Sequence, residues 1–444
     1  MGHSLRAFVL SALSLGAIHV SGFDTSRSDN LAVYYGQNSY GATHGSDTAN
    51  WQKDLSYYCQ DDVIDVIPLA FVNVFFGAGG VPSLNMANTC NPSDDSDFPG
   101  TELPNCSFLA SSIEACQAKG KIITLSLGGA TGAASFSSAA QASAFGDTIW
   151  NLFLGGSSST RPFGSAVLDG VDIDIEGGGT TYFDSFINRI RTLSSGASKK
   201  YYVTGAPQCP YPDAYMSSVL NAVGFDAVFV QFYNNACGLP YYNNPNAWDF
   251  GSWDTWAKTV SPNKNVKVYI GALASSTAGT SGYVDSTTLI NIALETRSKY
   301  SSFGGVMLWD ASQAYANGRF DQTVKNAIRQ SGGGGTTTTT STSTTTSTTS
   351  TTSTTSHTTS TTSHTTTTTT TSATSTPTGS PGSCSGVAAW SSTVANTKLI
   401  VRRIAQYTGG QQVTYNGHLW TAKWWSYNST PGGAAGDWTD NGAC

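Results

Sequence analysis

Short runs rich in β-branched and aromatic residues recur through the first 310 residues, at 31–35, 66–72, 121–127, 167–175, 201–206, 227–232, 266–273 and 304–309. Each has the length of a strand. Between several of them apolar residues return at helical spacing, over 135–154, 182–193 and 286–300. Strands that alternate with helices predict a parallel sheet, because a parallel crossover needs room for a helix. Eight such units in about 300 residues fit the α/β class as a closed (β/α)8 TIM barrel, whose chemistry sits at the C-terminal ends of the strands. An open, doubly wound sheet is the alternative. It would place a Gly-rich phosphate turn after the first strand, where Gly36-Gln-Asn-Ser39 stands instead.

The pattern stops after residue 331. Gly332 to Gly335 lead into residues 336–376, where everything is Ser or Thr except His357, His364 and Ala373. Such a tract has no apolar surface to bury, so 332–383 is expected to be an extended, O-glycosylated linker. Residues 384–444 then hold Trp390, Trp420, Trp424, Trp425 and Trp438, more rings than so small a unit can hide in a core. A small β-rich module with exposed rings is expected there. Residues 1–22 have a positively charged start, an apolar run over 7–20 and the small pair Ser21-Gly22, the pattern of a secretory signal peptide and too short to span a bilayer. The catalytic-size body is then 23–331, and the expected location is extracellular, with attachment to a cell wall left open.

Charged residues make up 11% of the chain and the net charge is −6, against a usual charged share of about 25%. Without clustered Lys and Arg a nucleic-acid partner is excluded, and no apolar stretch after the first 22 residues calls for a membrane. The 20 Tyr, 19 Phe and 11 Trp suit neutral, polyhydroxylated ligands. Eight Cys divide as six before the linker and two after it. None has metal-site spacing, so no metal and no cofactor is expected, and disulfides fit an oxidising compartment; spacing alone leaves 15 pairings open for the six. A monomer is expected.

The fourth run reads Leu168-Asp-Gly-Val-Asp-Ile-Asp-Ile-Glu176. Strand alternation puts Asp172, Asp174 and Glu176 on one face and Val171, Ile173 and Ile175 on the other, so the acids point into the barrel mouth. Carboxylates that close drive one of their number to stay protonated near neutral pH. A protonated Glu176 is a general acid. Asp174, on the same strand face, is placed to orient a group rather than to attack from the opposite side of a scissile bond, so the nucleophile could belong to the substrate. A solvated acidic edge and a divalent metal site are the competing explanations of the three acids.

Asp169-x-x-Asp172-x-Asp174-x-Glu176 and Ser126-Leu-Gly-Gly129 resemble the signatures of family 18 glycoside hydrolases. Tyr34-Tyr-Gly-Gln-Asn38, Ala206-Pro-Gln-Cys-Pro210, Val230-Gln-Phe-Tyr-Asn-Asn235 and Gly305-Val-Met-Leu-Trp309 extend the resemblance to the class III, plant and fungal type chitinases over residues 30–330. The resemblance implies a secreted endochitinase that cleaves β-1,4 bonds of chitin and N-acetylglucosamine oligosaccharides with retention. Glu176 would serve as acid and then base, while the acetamido oxygen of the −1 sugar attacks. Asp174 would orient that acetamido group, Tyr233 would hydrogen-bond it and Asp172 would tune Asp174. Trp309 would form the floor of the −1 subsite, with Tyr34, Phe71 and Gln231 lining it. Also implied are the pairs Cys59–Cys116, Cys90–Cys106 and Cys209–Cys237. The short stretch between the seventh and eighth runs has no room for an inserted domain, which favours an open groove and endo cleavage. The segment from Val413 to Trp438 resembles family 5/12 carbohydrate-binding modules. That likeness implies a chitin-binding platform of Trp424 and Trp425 with Tyr415 and Trp438, stapled by Cys384–Cys444. The alternatives are an endo-β-N-acetylglucosaminidase or lysozyme-like hydrolase, and a non-catalytic chitin-binding lectin.

Overall fold

The computed structural model describes residues 23–130 and 134–329 and, beyond them, 387, 389, 393–395, 402–404, 406–407, 412–422, 426–427, 430–432 and 438–444. The chain divides into two compact units, Met1–Gln330 and Ser331–Cys444. The first is built on eight parallel strands: β1 (Asn30–Val33), β2 (Val66–Val74), β3 (Ile122–Gly129), β4 (Gly170–Ile175), β5 (Tyr202–Gly205), β6 (Ala227–Gln231), β7 (Lys267–Leu273) and β8 (Phe303–Trp309). Each pairs with its successor, and β1 closes the ring by pairing with both β2 and β8. The sheet is therefore the closed barrel that the alternation of elements predicts. A short strand missing from that expectation, Ser83–Leu84, adds antiparallel to the far end of β2.

The expected helices form with local stops. Ala139–Phe153 begins where the Ser138 hydroxyl accepts the Gln141 N–H, and Ser286–Lys299 where Asp285 accepts from Thr288 N, each supplying a partner that a first helical turn lacks. These caps set the starts that periodicity leaves loose. The third expected helix is Phe183–Leu193.

Alternation sorts the strand side chains into two layers. Val171, Ile173 and Ile175 face outward into the main core beneath the helices, which also takes in Leu125, Leu127, Phe186 and Ile190. The inward positions form a second cluster, with Ala32, Tyr34, Phe71, Phe229, Tyr269 and Met307. Three disulfides, Cys59–Cys116, Cys90–Cys106 and Cys209–Cys237, tie loops around the barrel, in the pairing that the family resemblance implies.

In the second unit, Gln412–Tyr415, His418–Ala422 and Trp438–Ala443 form an antiparallel three-stranded sheet. The first two are joined by Asn416-Gly417, both at positive φ (50° and 77°), as a two-residue hairpin requires. Val413, Ala422 and Trp438 make its small core, with Trp420 packed against them. Cys444 is in a disulfide; its expected partner Cys384 lies outside the described residues.

Candidate active site

The three acids of β4 stand in a column from barrel interior to mouth. Register explains the lowest: Asp172 lies opposite Ser126 on β3 and Thr204 on β5. Its carboxylate accepts hydroxyl hydrogen bonds from Ser126 (2.7 Å), Thr204 (2.6 Å) and Tyr34 (2.7 Å). Burial pushes the Asp172 carboxyl up, and these three donors pull against that push.

Above it, Asp174 is 3% exposed and accepts from Gln231 Nε2 at 3.1 Å. Glu176, one residue past the end of β4, keeps part of its surface at the mouth. Its Oε1 accepts from Gln231 Nε2 (3.4 Å) and its Oε2 from Gln208 Nε2 (3.3 Å). Burial raises both carboxyls. Asp174 is pushed further, by the charges of Glu176, Asp172 and Asp213, whereas the two amides hold Glu176 back. Two carboxyls buried this close together cannot both ionise easily, so the pair retains a proton above the ordinary carboxylate range.

Two glycines make this packing possible. Gly128, at φ 111°, lies so close to β4 that a Cβ there would sit 2.2 Å from the Asp174 carbonyl oxygen, and one on Gly129 would sit 2.9 Å from the Phe71 ring. The pair Gly128-Gly129 thus lets β3 press against the acid strand and leaves space for Phe71 at the mouth.

Phe71 stacks with Trp309 at 6.0 Å between ring centroids and 18° between planes, and Tyr34 lies 5.6 Å from Trp309. Trp309 is half-buried at the end of β8. Tyr233, just past β6, is 6% exposed. Burial, then the charges of Asp174 and Glu176, push its phenol well above the usual value, so it stays a hydrogen-bond donor. The structure therefore brings Asp172, Asp174, Glu176, Gln231, Tyr233, Tyr34, Phe71 and Trp309 to one end of the barrel.

Two expectations about direct ligand contact, at Tyr34 and Trp438, need correction, and Asp172 sits where only an indirect role through Asp174 is open to it. Asp172 and Tyr34 are 0% and 1% exposed, so they act from beneath the site: both face inward below Asp174 and use their polar atoms on each other. Trp438, expected on the module's binding platform, is 5% exposed, because its strand turns that ring onto Val413 and Ala422. Tyr415 is half-buried. Trp424 and Trp425 lie outside the described residues.

Sequence reasoning missed Thr204, Gln208, Asp213 and Asn235 as members of the site. Thr204 was within reach of it, since inward alternation on β5 places it beside Asp172. Nothing in the pattern marks Asp213, which is buried in a loop and accepts the N–H groups of Gln208, Tyr215 and Met216. A separate concavity of about 650 Å³ lies outside the mouth between Tyr211, Trp248, Asp249 and Tyr300. None of the column acids lines it.

A closed parallel barrel with two neighbouring buried carboxyls and an aromatic wall at its C-terminal mouth fits the glycoside hydrolase class. The sequence profile described as Glycosyl hydrolases family 18 matches residues 30–430, and the chain belongs to that family. It is 45% identical over 329 residues to Chitinase 2 of Rhizopus oligosporus, covering 74% of this chain and 58% of that protein. It is 43% identical over 309 residues to the Class III chitinase of Arthroderma benhamiae, covering 67% and 88%. The chain spans only between half and two thirds of the length of several of its relatives. Among solved structures, a xylanase and alpha-amylase inhibitor protein from Scadoxus multiflorus matches with a TM-score of 0.55 and 29% identity, covering 67% of this chain and 98% of that one.

Proposed function

We propose that the chain is a secreted, endo-acting chitinase that hydrolyses β-1,4 bonds between N-acetylglucosamine units with retention, the substrate supplying the nucleophile. The observation that carries this reading is the placement of Asp174 and Glu176 on one strand face, both within reach of the single amide nitrogen of Gln231 (3.1 and 3.4 Å). A protein nucleophile would need a carboxylate about 5 Å from the acid, across the scissile bond. The neighbouring acids Asp172 and Asp213 are 0% and 2% exposed and engaged by three donors each, so neither is free to attack.

In this mechanism the protonated Glu176 gives its proton to the glycosidic oxygen as the bond to the anomeric carbon breaks. The acetamido oxygen of the −1 sugar closes onto that carbon, with Asp174 and Tyr233 holding the acetamido group and Trp309 under the ring. Glu176, now ionised, takes a proton from water, and the hydroxide attacks the same carbon to reopen the cyclic intermediate. Two inversions give retention.

Intact Asp174, Glu176 and Tyr233 separate this reading from a non-catalytic lectin or inhibitor on the same barrel, which the likeness to an inhibitor protein makes the principal rival. The apolar N-terminal run and the three disulfides support secretion. Residues 384–444 serve as a chitin-binding tether joined through the Ser/Thr-rich tract, raising local concentration without touching the chemistry.

The test is a set of chitin oligomers and chitosans of defined acetylation. Mixed internal products from N-acetylated chains, and no cleavage of fully deacetylated chitosan, are expected. Efficient cleavage of the deacetylated chain would exclude substrate assistance, strictly monomer or dimer release would exclude endo action, and no cleavage of any chain would leave the lectin. Removing residues 332–444 should weaken adsorption to crystalline chitin and leave turnover of soluble oligomers unchanged.

A further inference from the structure

The loop after β5 carries a side chain that the mechanism above does not use. Gln208 lies in a parallel bridge with Gln231 of the neighbouring strand, reinforced by the Gln231 N–H bond to Pro207 O at 2.8 Å. Two glutamine side chains therefore leave adjacent backbone positions side by side. Gln231 Nε2 lies 3.4 Å from Oε1 of Glu176 and Gln208 Nε2 donates to Oε2 at 3.3 Å; the Gln231 amide is shared with Ala206 O (2.9 Å) and Asp174 Oδ1 (3.1 Å), whereas that of Gln208 is directed at Glu176. Both bonds are long, as catalytic hydrogen bonds often are before substrate tightens them.

Gln208 is itself fixed at several points. Its backbone N–H goes to Asp213 Oδ2 at 2.9 Å, and its Oε1 accepts from Asn235 Nδ2 at 3.4 Å. That second bond turns the amide so that its NH2 faces Glu176. The disulfide Cys209–Cys237 joins the next residue after Gln208 to the loop that carries Asn235. Two loops, one disulfide and a buried carboxylate converge on one side-chain amide, whose acidic partner among the described residues is Glu176.

We propose that Gln208 is a positioning residue for Glu176, forming with Gln231 a two-amide clamp that Asp213, Asn235 and the Cys209–Cys237 disulfide hold in place. The physical need is clear. The terminal torsion of a glutamate is broad and roughly two-fold, so a carboxyl held at one oxygen can still swing its proton away from the glycosidic oxygen. Donors on both oxygens fix its plane. The amide also favours ionised Glu176, which suits the second half of the reaction, where the same group must accept a proton from water. The inference rests on the reading of Glu176 as the proton donor.

The full chain is assayed on soluble N-acetylglucosamine oligomers with Gln208→Met, Asn235→Ala and the double variant. Gln208→Met keeps the backbone bond to Asp213 and should keep the melting temperature. Its kcat should fall about 10- to 100-fold, the scale on which misplacing a reacting group acts, with KM changed less than about threefold. Losing a donor to the carboxylate raises the pKa of Glu176, so the alkaline limb of the pH profile should move to higher pH. Asn235→Ala should shift it the same way by less, and the double variant should be no worse than Gln208→Met alone, because both act through one amide. Should Gln208→Met fold poorly, Gln208→Glu keeps the shape but loses the donor when ionised, and should move the limb further in the same direction. An unmoved limb with near wild-type kcat in Gln208→Met, or additive losses in the double variant, overturns the clamp. If Glu176→Gln is inactive while Gln208→Met is normal, only the clamp fails; if Glu176→Gln retains turnover, the proton-donor reading fails with it.

Discussion

At the N-terminal end of the barrel, Asp65 meets the Lys325 ammonium at 2.5 Å and accepts the Leu31 N–H at 2.7 Å, while Lys325 also donates to Asp29 O at 2.8 Å. Nearby Lys121 donates to the carbonyls of Asp61 and Ile64. At the C-terminal end, three carboxyls stand in line, and among the described residues no Lys or Arg forms an ion pair with any of them. Their partners are hydroxyls and amides: Tyr34, Ser126 and Thr204 below, Gln231 and Gln208 above. Both ends suffer desolvation, which pushes Asp65 up despite the attraction of Lys325 and pushes Asp174 well up. The difference lies in what offsets it. A cation locks a buried acid in its charged state and serves the fold. Neutral donors stabilise an acid without fixing its charge, so a proton can come and go, and that end can do chemistry.

The contrast is broken most sharply by exchanging which end is damaged. Glu176→Gln keeps the side-chain shape and the clamp on one oxygen but cannot give a proton, so hydrolysis should fall by at least about 10²- to 10⁴-fold, the share general acid catalysis supplies. The melting temperature should stay level or rise, because a carboxyl crowded against Asp174 has gone. Residual turnover above about a tenth of wild type, measured on oligomers, would remove Glu176 from its role.

Lys325→Met should do the reverse. It leaves Asp65 buried without its cation, a change that costs about 3–5 kcal/mol, while turnover per folded molecule stays near wild type. Denaturant unfolding read beside active-site-normalised rates checks both halves. Loss of turnover at full stability would mean that the two ends are not separate in purpose.

The smallest effect sharpens the comparison through pH. The Asp174 pKa is raised on folding, so the native chain holds more protons than the unfolded one in the window between the ordinary aspartate value and the raised one. Stability from this group is present below that window and lost as pH rises through it. Asp174→Asn removes that titration, so its melting temperature should decline less than that of wild type between about pH 4 and neutrality. A surface pair such as Asp62 with Arg329, whose carboxyl is held low, has the opposite sign and loses its stabilisation towards acid. Equal slopes in wild type and Asp174→Asn would show that burial of the acid column has no energetic consequence.

Period-two alternation on β4 was sufficient to place Asp172, Asp174 and Glu176 on one side and Val171, Ile173 and Ile175 on the other. That holds because a strand has no third option for its side chains. The spacing of eight apolar runs with helical segments between them carried the closed barrel for a similar reason: the connection lengths admit few alternatives. The short strand Ser83–Leu84 escaped because two residues form no pattern. Trp438 was misplaced because a likeness to a binding module carries over the aromatic position, and strand register decides which way its ring turns.

Sequence by itself determined the barrel, the acid column and its family, since these rest on local periodicity and on residues a few positions apart in one strand. Only the tertiary structure decided which acids are reachable, with Asp172 and Tyr34 sealed beneath Asp174, and which groups from distant loops meet Glu176. Gln208, Asp213 and Asn235 come from the loops that follow β5 and β6, and their convergence depends on how the closing ring brings those loops together. Charge compensation is likewise a property of the closed ring: Asp65 and Lys325 are 260 residues apart, and nothing in either neighbourhood of the chain specifies that they will meet.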